Sequence, residues 1–503
     1  MINNILNYLE HTQEKFGDKT AFAGEKESLS FRQLYDKARA TGSFLSREGF
    51  YKKPVVVFME KGPSAIAATF GVIYAGDFYV VIDEEMPAFR IELILSTLDA
   101  KAMICDSSTT ELADKMGYKG AKYLFEEISE TPVDEDALWK IRSEQLDTDP
   151  IYAVFTSGST GIPKGVLACH RSVIDYIEGF TLAAELDGSC VFANQAPLYF
   201  DAPLKEVGAT IKFGCTTYMV PKQLFMFPIK LVEYLNEHEI NTLCWAASAL
   251  SLVSSMKAFD KVVPQYVKTV TFVGEVFPVK QLNEWRRVLP EAKFFNLYGP
   301  TETTGVCCIY KVDREFDLEE MIPAGKPFKN TGLLLLNDDG SETPFGEVGE
   351  ICVKGTCLTL GYYNNPEKTA ECFVQNPLNS IYPERIYKTG DLGRLDQDGN
   401  LVYVSRKDFQ IKHMGHRIEL GEIEVVSSAM DGVESVCCLF DNEKKKIVFF
   451  YTGASDKAAV AKYIKEKLPR YMFPSYFEQL ERMPYTPNGK IDRVSLKQRY
   501  EGK

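Results

Sequence analysis

No CxxC spacing and no cluster of His with Cys occurs in the 503 residues, although twelve cysteines are scattered along them. That argues against a zinc site of ordinary ligand spacing, and free thiols in a reducing cytoplasm fit better than a disulfide framework. Cations are in deficit: 57 Lys and Arg against 70 Asp and Glu give a net charge of −13. A general nucleic-acid binder needs clustered cations to displace counterions from phosphates. That class is therefore disfavoured, while one local basic nucleotide site is not. A membrane span is not expected either, because the uncharged stretch Gly62–Gly76 contains Pro and Gly and is too short. The opening MINNILNYLEHTQEKFGDKT is polar with a helical pattern and does not read as a secretory leader. Internal repeats and low-complexity segments are lacking. The expectation is a cytoplasmic globular protein.

What is present has average globular chemistry, 45% hydrophobic and 25% charged, at a length that allows two or three domains. Apolar strand-like runs alternate with amphipathic helical runs. PVVVFM (Pro54–Met59) precedes a helical stretch Pro63–Ala75, then FYVVID (Phe78–Asp83), a helix near Ile91–Leu98 and KAMICD (Lys101–Asp106). This rhythm predicts βαβ units and mostly parallel sheet. VKTVTFVG (Val267–Gly274) and AKFFNLYG (Ala292–Gly299) read as buried strands ending in Gly turns, where such sheets bind ligands. From about Glu347 the texture changes to short strands and turns. After Ser405 an α+β rhythm follows, with IELGEIEVVSSAM and AAVAKYIKEKL as helices and VESVCCLF and KIVFFYTG as strands. The expected fold is α/β: an N-terminal domain over residues 1–405 with a small β-rich subdomain, and a small mobile α+β domain over residues 406–503.

The first chemical signal is YAVFTSGSTGIPKGV, Tyr152–Val166. An apolar strand runs into Thr156, Ser157, Gly158, Ser159, Thr160 and Gly161, with Lys164 three residues on. Glycines permit positive φ, successive N–H groups and hydroxyls can wrap a phosphate, and Lys164 adds positive charge. The spacing is not that of a GxxxxGK[ST] loop. Further along stand NLYGPTETT (Asn296–Thr304), GEVGEICVKG (Gly346–Gly355), LGYYNNPEKT (Leu360–Thr369), YKTGDLGR (Tyr387–Arg394), RKDFQIKHMGHRIELGEIE (Arg406–Glu424), LPRYMFP (Leu468–Pro474) and PNGKIDR (Pro487–Arg493). In this order the set resembles the adenylate-forming enzyme superfamily of acyl-CoA synthetases, nonribosomal peptide synthetase adenylation domains and luciferases.

The resemblance implies that a carboxylate attacks the α-phosphate of ATP, with Mg²⁺, and that a thiol then displaces AMP. It assigns the phosphates to residues 156–161 and Lys164. Adenine falls to Asn296 and Tyr298, beside Gly299, and the ribose to Asp391 and Arg406. Thr301 lies near the α-phosphate, Glu302 is the magnesium ligand and Lys490 is the main catalytic cation. Asp408 is implied as a hinge and the loop at Gly415 as the element facing the thiol. NQAPLYFDAPLKEV (Asn194–Val207) resembles the amino-acid-activating branch, in which Asp201, after Phe200, binds the substrate ammonium. Ala202, Lys205, Thr271, Val273, Gly274, Leu297, Gly305 and Val306 are then the pocket walls. NQAPLYFD, FVGEVFP and MPYTPNGKIDR look like stand-alone D-alanine–carrier protein ligases, so a phosphopantetheine carrier is expected in trans. Val273 departs from the Cys usual in those ligases. Lys205 admits two readings, an anion partner for an acidic substrate or a side chain that bends to solvent or pairs with Glu206. An acyl-CoA synthetase and a non-catalytic nucleotide sensor are the alternatives.

Overall fold

The computed structural model describes residues 2–158, 161–318, 320–407, 410–484 and 491–502. Ser159, Thr160, Asp408 and Lys490, all singled out above, lie outside the described residues. Two compact units emerge: Met1–Glu84 with Leu98–Val154 and Gly165–Ser405, and Glu85–Thr97 with Phe155–Lys164 and Arg406–Lys503.

The first unit is built on a nine-stranded and a mostly parallel seven-stranded sheet. In the nine-stranded sheet the strands Thr20–Ala23, Thr216–Met219, Val191–Asn194, Thr242–Ala246, Thr269–Val273 and Lys293–Tyr298 run parallel in that spatial order, with antiparallel strands at both edges. Parallel strands are covered on both faces, which explains their unbroken apolar runs. The inner strands of the other sheet, Pro54–Phe58, Phe78–Val81 and Ala102–Cys105, are parallel as the alternation predicts. A third, antiparallel sheet begins at the strand Thr331–Leu336. That is ahead of the expected start near Glu347, because GLLLL lacks the period-two alternation that marks a half-exposed strand.

The helix Pro63–Tyr74 is buried on nearly every side and apolar all round. It crosses the helix Phe31–Arg47 where glycines meet side chains. A Cβ on Gly71 would stand 2.5 Å from the Thr41 side chain, and one on Gly42 2.5 Å from Tyr74 Cβ.

The second unit holds the strands Val433–Asp441, Lys446–Gly453 and Tyr476–Gln479 in one sheet, covered by the helices Leu420–Ser428 and Lys457–Lys467. The hairpin Gln410–His413 to His416–Glu419 turns through Met414 and Gly415, both at positive φ (53° and 78°). Such a two-residue turn suits the strand twist and explains the glycine. Phe89, in the helix Ala88–Leu98, packs on this core, with Lys467 Nζ 4.4 Å from its ring centre. Among the described residues no helix is long and apolar enough to cross a membrane.

Gly71→Ala is expected to lower the thermal midpoint. Ala gains up to ~1 kcal/mol of helix propensity, so a net loss, toward ~1–3 kcal/mol of overpacking strain, isolates the close helix crossing. A raised midpoint would show that the helices separate without cost.

Candidate functional site

The strand Lys293–Tyr298 leads into a turn that only small residues permit. A Cβ on Gly299 would fall 2.5 Å from Val306 Cα and 2.7 Å from the Cys307 nitrogen, while Thr304 and Gly305 have φ of 59° and 90°. The turn fixes four of the expected residues. Tyr298 is buried, and its hydroxyl donates to Asp391 Oδ2 at 2.6 Å. Burial, then the Asp391 charge, hold that hydroxyl far above its ordinary pKa. Asp391, itself buried, is shaped by the turn before it: its N–H donates to Thr389 Oγ1 at 2.9 Å, and Gly390 takes φ 72° and donates its N–H to Glu350 Oε1. Asn296 gives its Nδ2 to the carbonyls of Ile322 and Pro323. Oδ1 is therefore the atom with which it can accept an adenine amino group.

Thr301 hydrogen-bonds the Asp201 side chain, and the charge of Glu302 is felt at Asp201. Burial raises the Asp201 pKa, while Thr301 and Lys205 pull it back. Glu302 is fully buried, with Tyr362 Oη donating to its Oε1 at 2.7 Å. A Cβ on Gly305 would lie 3.5 Å from Asp201 Cγ. The structure thus brings Asp201, Thr301, Glu302, Lys205 and Gly305 together, although they come from two distant stretches of chain. The Phe200 ring packs tilted against Tyr199, with ring centres 4.3 Å apart. Thr271, Leu297 and Val306 are buried, and Gly274 ends the strand Thr269–Val273 at φ 99°.

Lys205 settles one open reading. It is 1% exposed, and its ammonium donates to the Ala202 carbonyl at 2.8 Å, so it does not bend to solvent. Sequence reasoning missed its surroundings. Glu206 is fully buried, and burial lifts its carboxyl to about pKa 7 against the charges of Lys205 and Lys61. Lys61, brought down to about 8 by burial, donates to the carbonyls of Asn194 and Gln195 at the root of the loop that carries Asp201. Tyr362 was also missed. All but Lys61 lie in the quoted strings NQAPLYFDAPLKEV and LGYYNNPEKT, and polar letters there gave no sign of burial.

The second unit contains the phosphate-type loop. Ser157 Oγ donates to the Arg417 carbonyl at 2.9 Å and accepts from the Glu419 N–H at 3.2 Å. Gly158 N–H donates to Glu422 Oε2 at 3.3 Å, and Lys164 Nζ is 3.8 Å from Glu419 Oε1. Glu422 also pairs with Arg90, both almost fully buried. Thr156 is buried, and Gly161 takes φ 80° with its N–H on the Gly158 carbonyl. Arg406 ends the strand Leu401–Arg406, and Gly415 is the hairpin turn already described. Among the described residues no group of three or more His, Cys, Asp and Glu side chains could hold a metal unaided.

Comparison with known proteins identifies the family. Residues 9–363 match the family model described as AMP-binding enzyme. Tyrocidine synthase 1 of Brevibacillus parabrevis is 31% identical over 502 residues, covering 98% of this chain and 45% of that protein. Gramicidin S synthase 2 of Brevibacillus brevis is 31% identical over 506 residues, 98% of this chain and 11% of that protein. The chain therefore spans less than half the length of these curated relatives. Among solved structures, PA1221, an NRPS protein containing adenylation and PCP domains, superposes with a TM-score of 0.83 at 24% identity over 99% of this chain and 97% of that one. An o-succinylbenzoate CoA synthetase (MenE) from Bacillus subtilis gives 0.84 at 20% identity over 98% of each chain. At these identities the two structures establish the shared fold.

The raised Glu206 pKa has a defined sign. A carboxyl at about 7 in the fold and about 4.5 unfolded keeps its proton longer in the folded chain. Its contribution is complete below about pH 4.5 and is lost as pH rises through 7. Glu206→Gln should therefore gain stability relative to the parent by roughly 3 kcal/mol between pH 4.5 and 8. Denaturant midpoints of both proteins across that range test it; parallel curves would mean an unshifted carboxyl.

Proposed function

Because the chain belongs to the AMP-binding enzyme family, we propose that it activates an amino acid as its adenylate and then passes the aminoacyl group to a thiol. One observation carries the reading: Asp201, a half-buried carboxyl, is bonded to Thr301 and feels the charge of the neighbouring Glu302, which is read as the magnesium ligand. A buried carboxylate calls for a cationic partner. An acyl-CoA synthetase acting on a simple acid has no ammonium to offer it.

In the first step a carboxylate oxygen of the amino acid attacks the α-phosphorus of ATP, forming an O–P bond as pyrophosphate leaves. Two anions must meet, so catalysis rests on positioning and charge rather than on a protein nucleophile. Tyr298 offers its ring to adenine, and Asp391 accepts from ribose hydroxyls. The hydroxyls and N–H groups of the loop 156–161, with Lys164, take the phosphates. Glu302 is the residue that would hold a magnesium ion. Bound there, the ion supplies charge neutralisation to the phosphates. Lys490 is assigned, from its place in PNGKIDR, as the cation between carboxylate and α-phosphate. In the second step the thiol sulfur attacks the acyl carbon and AMP leaves.

The thiol is read as the phosphopantetheine of a carrier protein acting in trans, and the motif resemblance names D-alanine as a first substrate to try. Residues 406–503 are read as one mobile domain, hinged at Asp408, that serves both steps in turn. The engagement of Ser157, Gly158 and Lys164 by Arg417, Glu422 and Glu419 supports this. The loop groups expected to hold phosphates are here held by the segment that carries Gly415.

ATP–pyrophosphate exchange across the amino acids, both alanine enantiomers and a few fatty acids tests the reading; exchange with fatty acids alone would overturn it. Lys490→Ala should cost about 100- to 1000-fold in exchange with nucleotide affinity little changed. Asp201→Ala should raise the amino-acid KM roughly 10- to 100-fold, the loss of a charged hydrogen bond. Asp408→Pro should slow thioester formation more than exchange; equal losses would count against alternation.

A further inference from the structure

The strand Arg385–Leu395, which carries Asp391, pairs with the strand Gly349–Gly355, and the two fall out of step at one place. Leu392 is the register partner of Glu350 and Lys388 that of Cys352, so Thr389, Gly390 and Asp391 together face Ile351 alone. One residue cannot serve three in a ladder, and a bulge of this kind re-aims the side chains that it carries. Side chains make up the missing bonds. Thr389 Oγ1 donates to the Ile351 carbonyl at 2.7 Å and accepts the Asp391 N–H at 2.9 Å, while Gly390 N–H donates to Glu350 Oε1 at 3.1 Å.

The bulge delivers Asp391 to Tyr298, whose hydroxyl donates to Asp391 Oδ2 at 2.6 Å. Glu350 is 5% exposed, Thr389 2% and Asp391 1%. A strand position as dry as that of Glu350 ordinarily takes an apolar residue, and a carboxylate there is costly unless it is bonded. Lys388 Nζ lies 3.6 Å from Glu350 Oε2, but the lysine side chain is 44% exposed, and solvated pairs of this kind contribute little. The closer contact is with the Gly390 N–H, and a backbone donor on an ionised carboxylate makes a strong, directional bond. Gly390 takes φ 72°, a conformation that glycine enters and leaves freely. Both peptides around it are therefore tied, one through Glu350 and the next through Thr389.

We propose that Glu350 is a positioning residue for nucleotide recognition: by holding the Gly390 N–H it locks the bulge that turns Asp391 toward the ribose hydroxyls. It thereby sets how strongly the enzyme distinguishes a ribonucleotide from a nucleotide whose sugar lacks those hydroxyls. The inference rests on the reading of Asp391 as the ribose acceptor and adds the device that aims it. Asp391 meets two demands at once, since it accepts from Tyr298 and must also face a diol. A carboxylate has acceptor sites enough for three donors, so the direction of the side chain decides, not its capacity. With the Gly390 N–H released, the glycine can take up other backbone conformations, and the same carboxylate then meets the diol at a poorer angle. Glu350 acts through Asp391, so its effect falls on ribose discrimination rather than on phosphate or amino-acid contacts.

The test is equilibrium binding of ATP and of 2′,3′-dideoxy-ATP to the full chain, measured by calorimetry without amino acid. The parent is expected to bind ATP about tenfold tighter or more, as hydrogen bonds to a carboxylate require. Glu350→Leu removes the acceptor while keeping the bulk, and the preference should fall by about fivefold or more. Glu350→Gln keeps an oxygen for the Gly390 N–H and should stay within about threefold of the parent. Lys388→Met removes only the ion pair and should match the parent. Thr389→Val cuts the other tie and should fall like Glu350→Leu, so a Glu350→Leu chain that fails to fold does not shield the inference. A general loosening of the structure weakens both nucleotides alike and leaves the ratio unmoved. An unmoved ratio in Glu350→Leu, or in Thr389→Val where only that variant folds, therefore overturns the inference. A loss in Glu350→Gln or Lys388→Met equal to that in Glu350→Leu also overturns it, because charge pairing would then be the cause. Those outcomes leave Asp391 as the ribose acceptor. A parent that binds both nucleotides alike, or an Asp391→Ala variant that keeps the preference, overturns that reading and the inference with it.

Discussion

Two carboxyls, the half-buried Asp201 and the fully buried Glu302, lie close enough for one to raise the pKa of the other. Hydroxyls meet part of their repulsion, Thr301 bonding Asp201 and Tyr362 bonding Glu302, and the Lys205 charge acts on Asp201 as well. Hydroxyl donors lower the cost of a buried charge without cancelling it. The result is a region whose electrostatics favour arriving cations. An ammonium at Asp201 and a divalent ion at Glu302 would each relieve a strain the fold has built in. The tight turn at Gly299 matters for the same reason, since it is the backbone that holds Thr301 and Glu302 against the loop bearing Asp201.

Lys205 and Glu206 extend that logic into the acid pocket. Consecutive residues at the start of the helix Leu204–Phe213, both are almost wholly buried. A buried charged pair is a poor source of stability compared with an apolar replacement. Lys61 adds a positioning element from the other sheet. Its ammonium ties the carbonyls of Asn194 and Gln195, so the start of the loop carrying Phe200 and Asp201 is anchored from outside its own sheet.

Much of the fold is legible in the sequence because parallel strands announce themselves. VTFV and FFNLY are apolar on both faces, and the intervening helices show one apolar stripe, so element type followed from period and length. GLLLL, which opens the antiparallel sheet, hid the subdomain's start because four consecutive leucines carry no alternation. Within the site, Gly299, Thr301, Glu302 and Gly305 stood out through the motif that carries the resemblance. Glu206, Asn194 and Tyr362 did not. A Lys-Glu pair at a helix start has the composition of a solvated surface, and its burial is decided by the sheet that covers it, which the local letters do not encode.

The phosphate-type loop shows the same economy in the second unit. Its N–H at Gly158 and its hydroxyl at Ser157 are strong, directional groups, and such groups seldom stay unpaired when dry. Glu422 supplies an oxygen to Gly158, and the backbone of Arg417 and Glu419 serves Ser157. A carboxylate resembles a phosphate in charge sign and acceptor geometry. Glu422 is in turn neutralised by Arg90 on the helix Ala88–Leu98, and a carboxylate held by a buried guanidinium leaves a neighbouring N–H more readily than an uncompensated one would.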